Sequence, residues 1–430
     1  MVLRGTAIAQ IIGVAALPII TRGFSPEAFG HFQAFQSILT VALVVCSLRY
    51  EIALLRATSQ EDIHALLVLC MILNATISLA FFLGLLFYRY LAGLMEIAFF
   101  GFPLWCLPVA LFFGGTVQIL SYLLTREHRY AANANAKVGQ ALANAGTAAG
   151  LATVAPITSG IILADIAGRL VGTGIMVRIS HSVLGNWPRA TRSQLHAVLA
   201  AFRDLPIVSL PAALLNTLGS IVTPLMIYYS FDAATSGQFG LTERAISLPI
   251  ALVVIAVSQV YMANLAEEIR RPGGNPRRYF RRLALGLAGV SIVPALIAIV
   301  AAPMLFRFAF GPGWEQAAVF ARLMIPAYWF ALISGSINMT LTVIGRTGWQ
   351  LAWDALRLVA MVALWTFAPR LGWPVNGIVA THAAITAGFA LVLIAISYGA
   401  LPHSKDPLEQ QSRTEDVHTE SLSDTDVAQQ

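Results

Sequence analysis

Apolar residues run through this chain in long unbroken stretches separated by short polar joints. Twelve such windows can be drawn: Leu3 to Ile20, Phe29 to Leu48, Ala65 to Phe87, Leu104 to Leu124, Val138 to Ala155, Gly160 to Ile179, Val208 to Tyr229, Ile246 to Leu265, Leu283 to Leu305, Phe320 to Val343, Trp349 to Phe367, and Val375 to Leu401. Each is close to the roughly 20 residues an α-helix needs to cross a bilayer. The runs are continuous rather than alternating, which disfavours a membrane β-barrel. The pattern predicts an all-α integral membrane protein with about twelve transmembrane helices. The fifth window is the weakest, rich in Ala, Gly and Asn instead of Leu. Its Gly146 and Gly150, with Gly168 and Gly172 in the next window, have the spacing that lets membrane helices approach closely.

The longest amphipathic joint, from Ser180 to Arg203, divides the windows six and six. The expected domains are therefore a first six-helix lobe (1–183), an amphipathic cytoplasmic connector (184–207), a second six-helix lobe (208–401) and a tail (402–430). A faint internal repeat supports a duplication. Phe24, Gly30 and Phe32 share the pattern F-x5-G-x-F with Phe231, Gly237 and Phe239, at an offset of 207. Six-helix halves keep the same sidedness, so such a repeat is parallel, with its axis along the membrane normal.

Composition agrees with the pattern: of the 430 residues 57% are hydrophobic and 11% charged, with a mean hydropathy of +0.74. A soluble domain carries about 25% charged residues. The net charge of +6 conceals an asymmetry, because the tail holds seven acids and two bases, leaving +11 on the membrane part. That tail, rich in Gln, Ser, Thr and Asp, reads as a disordered acidic cytoplasmic extension. With Met1 on the inside, nineteen bases fall in cytoplasmic segments against four outside, namely Arg22, Arg89, Arg307 and Arg370. The positive-inside rule then places both termini in the cytoplasm. The first window has no cleavage site after a short apolar core and reads as an uncleaved span.

The few charges inside windows are the candidate chemistry, since each costs about 2.5–3.5 kcal/mol at the bilayer centre on insertion scales. Asp165 and Arg169 are four apart, and Asp354 and Arg357 three apart, so each pair can neutralise itself on one helix face. Glu243 and Arg244 are adjacent and diverge by about 100°, while Arg322 has no acid within four residues. These arginines must face another helix or an anionic ligand. Arg22, Arg49 and Glu51 lie at window ends. Proline interrupts several windows, with Pro18, Pro224 and Pro249 as the candidate kinks for moving helices.

Other chemistries find no support in the sequence. Lys137 and Lys405 are the only lysines and neither follows a glycine, which excludes a Walker A phosphate loop. Cys46, Cys70 and Cys106 are far apart within apolar runs, and the eight His form no metal-binding spacing. No metal or other cofactor is expected, and nothing marks an enzyme.

Several stretches carry a resemblance. Gly5-Thr6-Ala7-Ile8-Ala9-Gln10, Leu17-Pro18-Ile19-Ile20-Thr21-Arg22, Ser25-Pro26-Glu27-Ala28-Phe29-Gly30 and Leu48-Arg49-Tyr50-Glu51 resemble the bacterial polysaccharide-biosynthesis flippases of O-antigen type, within the multidrug/oligosaccharidyl-lipid/polysaccharide exporter superfamily. Pro211-Ala212-Ala213-Leu214-Leu215-Asn216, Arg244-Ala245-Ile246-Ser247-Leu248-Pro249 and Phe310-Gly311-Pro312-Gly313-Trp314 agree. The resemblance implies two pseudo-symmetric lobes around a central cationic cavity, and an undecaprenyl-pyrophosphate-linked oligosaccharide as substrate. It implies alternating access in the bacterial inner membrane, in the service of surface polysaccharide such as the O-antigen of lipopolysaccharide. Arg22, Arg49, Arg244 and Arg322 are then the expected pyrophosphate ligands. Glu51, Asp165, Glu243 and Asp354 are the acids available for pairing or for coupling to protons or sodium, with the membrane potential as another source of drive. Expected partners are the lipid-linked substrate, the bilayer and other polysaccharide-assembly proteins, with no nucleic acid. The alternatives are a multidrug or cation antiporter of the same fold, which calls for an acid-dominated cavity, and a membrane polymerase or ligase. The latter calls for a large outward loop, whereas the longest here is Tyr88 to Pro103.

Overall fold

The structure, a computed structural model, describes residues 2–95, 105–154, 157–184 and 189–402. The acidic tail beyond residue 402 and residues 96–104 lie outside them. In chain order the helices are α1 (Val2–Gly23), α2 (Pro26–Val45), a 3-10 turn (Tyr50–Leu55), α3 (Gln60–Met95), α4 (Cys106–Arg126), α5 (Tyr130–Val154) and α6 (Thr158–Leu184). Then follow α7 (Arg192–Ala201), a π-turn (Leu205–Ser209), α8 (Leu210–Ser230), α9 (Ala233–Arg270), α10 (Pro276–Phe310), α11 (Glu315–Ser336), α12 (Thr340–Val343), α13 (Thr347–Arg370) and α14 (Val375–Ala400). No strand occurs among the described residues.

Leaving out the short α7 and α12, each helix covers one apolar window. Among the described residues nine are long and apolar enough to span a membrane, or ten when the bent pair of α7 and the start of α8 is taken as one. α5 is too polar to qualify, for a reason that the cavity supplies below. Many apolar side chains of α10 point outwards, Val290, Val300, Met304 and Phe308 among them, each more than 70% exposed. An apolar surface of that kind is stable in hydrocarbon and not in water, and the protein is a multi-pass membrane protein.

The chain packs as two compact units. One comprises the described residues of Met1–Leu248, Ala302–Ala321 and Met361–Ile378, the other those of Pro249–Ala301, Arg322–Ala360 and Val379–Gln430. The first unit has two cores. One is built on Phe24, Phe29, Phe35, Leu39 and Trp314. The other gathers Tyr50, Leu54, Ile63, Leu66, Leu123 and Val198, and brings the connector helix α7 against the 3-10 turn, where the Tyr50 hydroxyl donates to Leu199 O at 3.3 Å. A capping box of Thr191 and Gln194 starts α7. In the second unit Tyr261, Leu265, Phe280, Ile337 and Leu401 pack together. There Arg277 Nε donates to Leu401 O at 2.9 Å and satisfies an orphan carbonyl at the end of α14.

The faint sequence repeat becomes a physical contact inside the first unit. α2 starts at Pro26 and α9 at Ala233, the same offset of 207. Both have an N-cap in register: Ser25 Oγ accepts from Ala28 N at 3.2 Å, and Asp232 Oδ1 accepts from Thr235 N at 2.7 Å. The two matched glycines then face each other. A Cβ on Gly30 would strike Ala233 O and lie 3.0 Å from Gly237 N, while one on Gly237 would strike Pro26 O and lie 2.8 Å from Gly30 N. The pattern is reciprocal, as a two-fold axis between the helices requires, and only glycine lets the backbones meet so closely.

The other small-residue expectation holds on one side only. Gly168 and Gly172 of α6 lie against Gln140 and Asn144 of α5, whereas Gly146 and Gly150 have nothing within 4 Å of an added Cβ. The face of α5 that meets α6 carries its polar residues, so the close approach is glycine to amide and not glycine to glycine.

Candidate functional site

A cavity of about 560 Å3 opens inside the first unit, within the roughly 300–1,000 Å3 usual for ligand sites. α1 contributes Gln10 and Leu17, α2 Phe29, Phe32 and Gln36, α6 Ile161 and Asp165, and α9 Arg244 and Leu248. α5 contributes Lys137, Gln140, Ala141, Asn144 and Ala145, at i, i+3, i+4, i+7 and i+8. That spacing is one face of a helix, and it explains why α5 lacks an apolar stretch long enough to count among the spans: its polar stripe lines the cavity.

Arg244 is one of three charged side chains in this lining, with Lys137 and Asp165. Its guanidinium carbon stands 5.1 Å from the Phe29 ring centroid and 5.0 Å from that of Phe32, and Nη2 donates to Gln33 Oε1 at 3.1 Å. It makes no ion pair among the described residues. Aromatic faces and a neutral amide hold the side chain without cancelling its charge, which leaves donors for an anion.

The one lining carboxylate is already matched. Asp165 Oδ2 accepts from Arg169 Nε at 2.7 Å, the i,i+4 pair that the spacing predicts. Its Oδ1 accepts from Gln36 Nε2 at 3.0 Å, and Arg169 Nη2 closes the triangle on Gln36 Oε1 at 3.3 Å. Gly114 of α4 makes room, since a Cβ there would lie 2.8 Å from Arg169 Nη1. With Asp165 neutralised by an arginine behind it, the lining carries an excess of positive charge from Arg244 and Lys137.

The other candidate residues lie elsewhere. Arg22, at the end of α1, donates through Nη2 to Phe308 O at 2.7 Å. Arg49 follows Leu48 in a left-handed break between α2 and the 3-10 turn, with φ of 50° and 69°. It leans on the fully buried Glu51 at 3.6 Å, which also accepts from the Ser47 hydroxyl and from Gln118 Nε2 at 2.9 Å. Left-handed backbone at two consecutive non-glycine residues costs on the order of 1–3 kcal/mol each, and it is held here by the buried carboxylate that the turn encloses. Glu243, next to Arg244, makes no hydrogen bond or ion pair among the described residues. In the second unit Arg322 is exposed and donates to Ile299 O at 3.1 Å, and Asp354 lies 3.9 Å from Arg357 with Gln350 at 3.4 Å. Pro18, Pro224 and Pro249 sit inside α1, α8 and α9.

Thus of the four expected anion ligands the cavity lining gathers Arg244 alone. Reasoning from charge passed over Gln10, Gln33, Gln36, Lys137, Gln140 and Asn144. The signal for the α5 members was present, as a 3.6-residue period of polar positions within a weak apolar window. Nothing local marks Gln33 as the partner of a residue 211 positions away. Among the described residues no three His, Cys, Asp or Glu side chains come together as a metal site.

Comparison with solved structures places the fold. The chain is similar to a lipid II flippase, MurJ, in an inward closed conformation, with a TM-score of 0.71 and 15% identity over 93% of this chain and 87% of that one. It is similar to an inward-facing multidrug resistance MATE family transporter of the MOP superfamily, with a TM-score of 0.66 and 14% identity over 90% and 93%. A MOP superfamily transporter from Pyrococcus furiosus matches with a TM-score of 0.52 and 14% identity over 92% and 94%. No curated protein matches in sequence. A family model described as polysaccharide biosynthesis protein matches residues 19–319, well over half of the chain. The membrane fold and this match agree, and the chain belongs to the polysaccharide biosynthesis protein family.

Proposed function

We propose that this protein is a flippase for undecaprenyl-pyrophosphate-linked oligosaccharide, moving it from the cytoplasmic to the outer leaflet of the bacterial inner membrane by alternating access, with both termini cytoplasmic. The observation that carries this reading is Arg244: a cavity arginine held by Phe29, Phe32 and Gln33 and in salt bridge with no carboxylate among the described residues. Lys137 lines the same cavity and adds a second cation. A pyrophosphate presents oxygens that a guanidinium grips in pairs, and Lys137 adds a point charge. A drug cation would meet the opposite polarity, since Asp165 is already bound by Arg169. The structural likeness to both flippases and drug transporters does not decide between them; the sign of the cavity favours the anionic lipid.

Direction needs no nucleotide. Two negative charges moving out of an electrically negative cytoplasm gain about 4–5 kcal/mol per 100 mV. Of the acids available for proton or sodium coupling, Asp165, Glu51 and Asp354 are in salt bridges, whereas Glu243, next in sequence to Arg244, is in none among the described residues. The chain transports and does not polymerise or ligate sugars on this reading, and it serves assembly of surface polysaccharide of the O-antigen class.

The test is flipping of an undecaprenyl-pyrophosphate-linked sugar by protein in liposomes. A hydrogen bond to a charged group is worth about 1.5–3 kcal/mol, so Arg244→Gln should slow flipping on the order of 10- to 100-fold while leaving the fold intact. Flipping at the wild-type rate would remove Arg244 from the site. Efflux of cationic drugs by wild-type protein with no lipid transport would favour the antiporter.

A further inference from the structure

We infer that the α5 stripe, joined by Gln10 of α1, is a glycan-reading subsite in the same cavity, which accepts the first sugars of the substrate beside its pyrophosphate. The inference rests on the flippase reading and adds to it the part of the substrate that the cavity distinguishes.

Apart from Lys137, the cavity's polar side chains fall into two groups. Gln36, Asp165 and Arg244 are held within the protein by hydrogen bonds. Gln10, Gln140 and Asn144 line the same space and make no side-chain hydrogen bond among the described residues, and Gln10 Oε1 is buried without a partner. A carboxamide offers two donors and one acceptor. Leaving the buried Gln10 oxygen unmatched is costly, and the half-buried Gln140 and Asn144 amides face the same space, so a ligand that supplies both donors and acceptors is favoured there. A sugar ring does so at each hydroxyl. A flat drug cation does not, and a bare isoprenoid chain has nothing to offer them.

Position supports the same class. Gln140 and Asn144 stand one turn apart on one face of α5, with Ala141 and Ala145 between and beside them, so the amides border a floor of methyl groups. Phe29 and Phe32 line the cavity too, and apolar surface beside amides suits a sugar ring with its C–H faces and its hydroxyl rim. Gly168 of α6 packs against Asn144 Cβ and Gly172 against the Gln140 amide, whose Oε1 would lie 3.0 Å from a Cβ added there. The α5–α6 contact therefore holds both residues at the edge of the cavity.

The experiment compares ligands that differ only in the glycan. Full-length protein in nanodiscs is titrated with undecaprenyl pyrophosphate, with its N-acetylglucosamine derivative and with a derivative bearing a neutral disaccharide. Gln140→Ala, Asn144→Ala and Gln10→Ala are suitable variants, since alanine is already abundant in α5 and favours helix. The wild type should bind at least one glycosylated carrier more tightly than the bare one. Each variant should weaken that carrier about tenfold and leave the bare carrier unchanged, whereas Arg244→Gln should weaken all three. Equal loss for bare and glycosylated carriers, or no loss at all, would overturn the subsite. A wild type that binds the bare carrier with no preference for any glycan would also overturn it while the flippase reading stands; a wild type that binds no carrier would remove that reading itself.

Discussion

Alanine at Gly30 or Gly237 would meet the tightest contact of any described glycine. In each case the new methyl group lands on the carbonyl oxygen of the facing helix, Ala233 O or Pro26 O, with Gly237 N at 3.0 Å or Gly30 N at 2.8 Å on the other side. Those atoms are backbone in the first turns of α9 and α2, so no rotamer change can relieve the contact. The helices must separate, on the order of 1 Å, which forfeits about a quarter to a half of the dispersion attraction along the crossing. With the usual overpacking cost of about 1–3 kcal/mol, each variant should lie near the upper end. The protein carries its own reporter, since Cys46, Cys70 and Cys106 are free and buried and become reactive on unfolding. Thiol labelling during a thermal ramp in detergent should show a lower midpoint for Gly30→Ala and for Gly237→Ala. The double variant should cost less than the two together, because one separation accommodates both methyl groups. Gly146→Ala, in open space, should be neutral or stabilising by up to about 1 kcal/mol through helix propensity. If Gly30→Ala melts with Gly146→Ala, the close backbone crossing is wrong.

Three further expectations follow from buried polar groups. Arg169→Met strands Asp165 in the cavity wall and should cost about 3–5 kcal/mol, with Asp165→Asn in the same chain restoring much of it; thermal midpoints of the three variants decide. Gln238 donates to Gly313 O at 2.5 Å and accepts from Ala317 N at 2.9 Å, so Gln238→Ala should lose about 1–3 kcal/mol in the same assay. Glu51→Leu removes the carboxylate that Ser47 and Gln118 bind and should destabilise the break after α2 by about 2 kcal/mol or more, whereas Glu51→Gln, which keeps an acceptor, should recover part; equal melting of the two would show that the carboxylate does not hold the turn.

Patterns that depend on neighbours along the chain were legible. Unbroken apolar windows located the long helices, because a bilayer demands continuous apolar length. The three matched residues of F-x5-G-x-F pointed to a repeat and gave no sign that its two copies touch, whereas the four-residue spacing of Asp165 and Arg169 foretold their pair. Patterns that depend on which faces meet were not. Gly146 and Gly150 have the right spacing on the wrong face of α5. The left-handed pair Leu48 and Arg49 has no local marker such as glycine, since the buried Glu51 turn holds it from outside. The partnership of Arg244 with Gln33 joins two helices far apart in sequence, and charge counting directs attention to acids, not to a neutral amide.

A patch that meets its own copy across a two-fold axis is how identical subunits pair, and here both sides of the contact lie on one chain. The flanking positions differ between the two sides, Pro26 against Ala233 and Ser25 against Asp232, so each side of the crossing accepts its own residues there. The glycines are the positions at which that freedom is void, because a methyl group on either side meets the other's backbone.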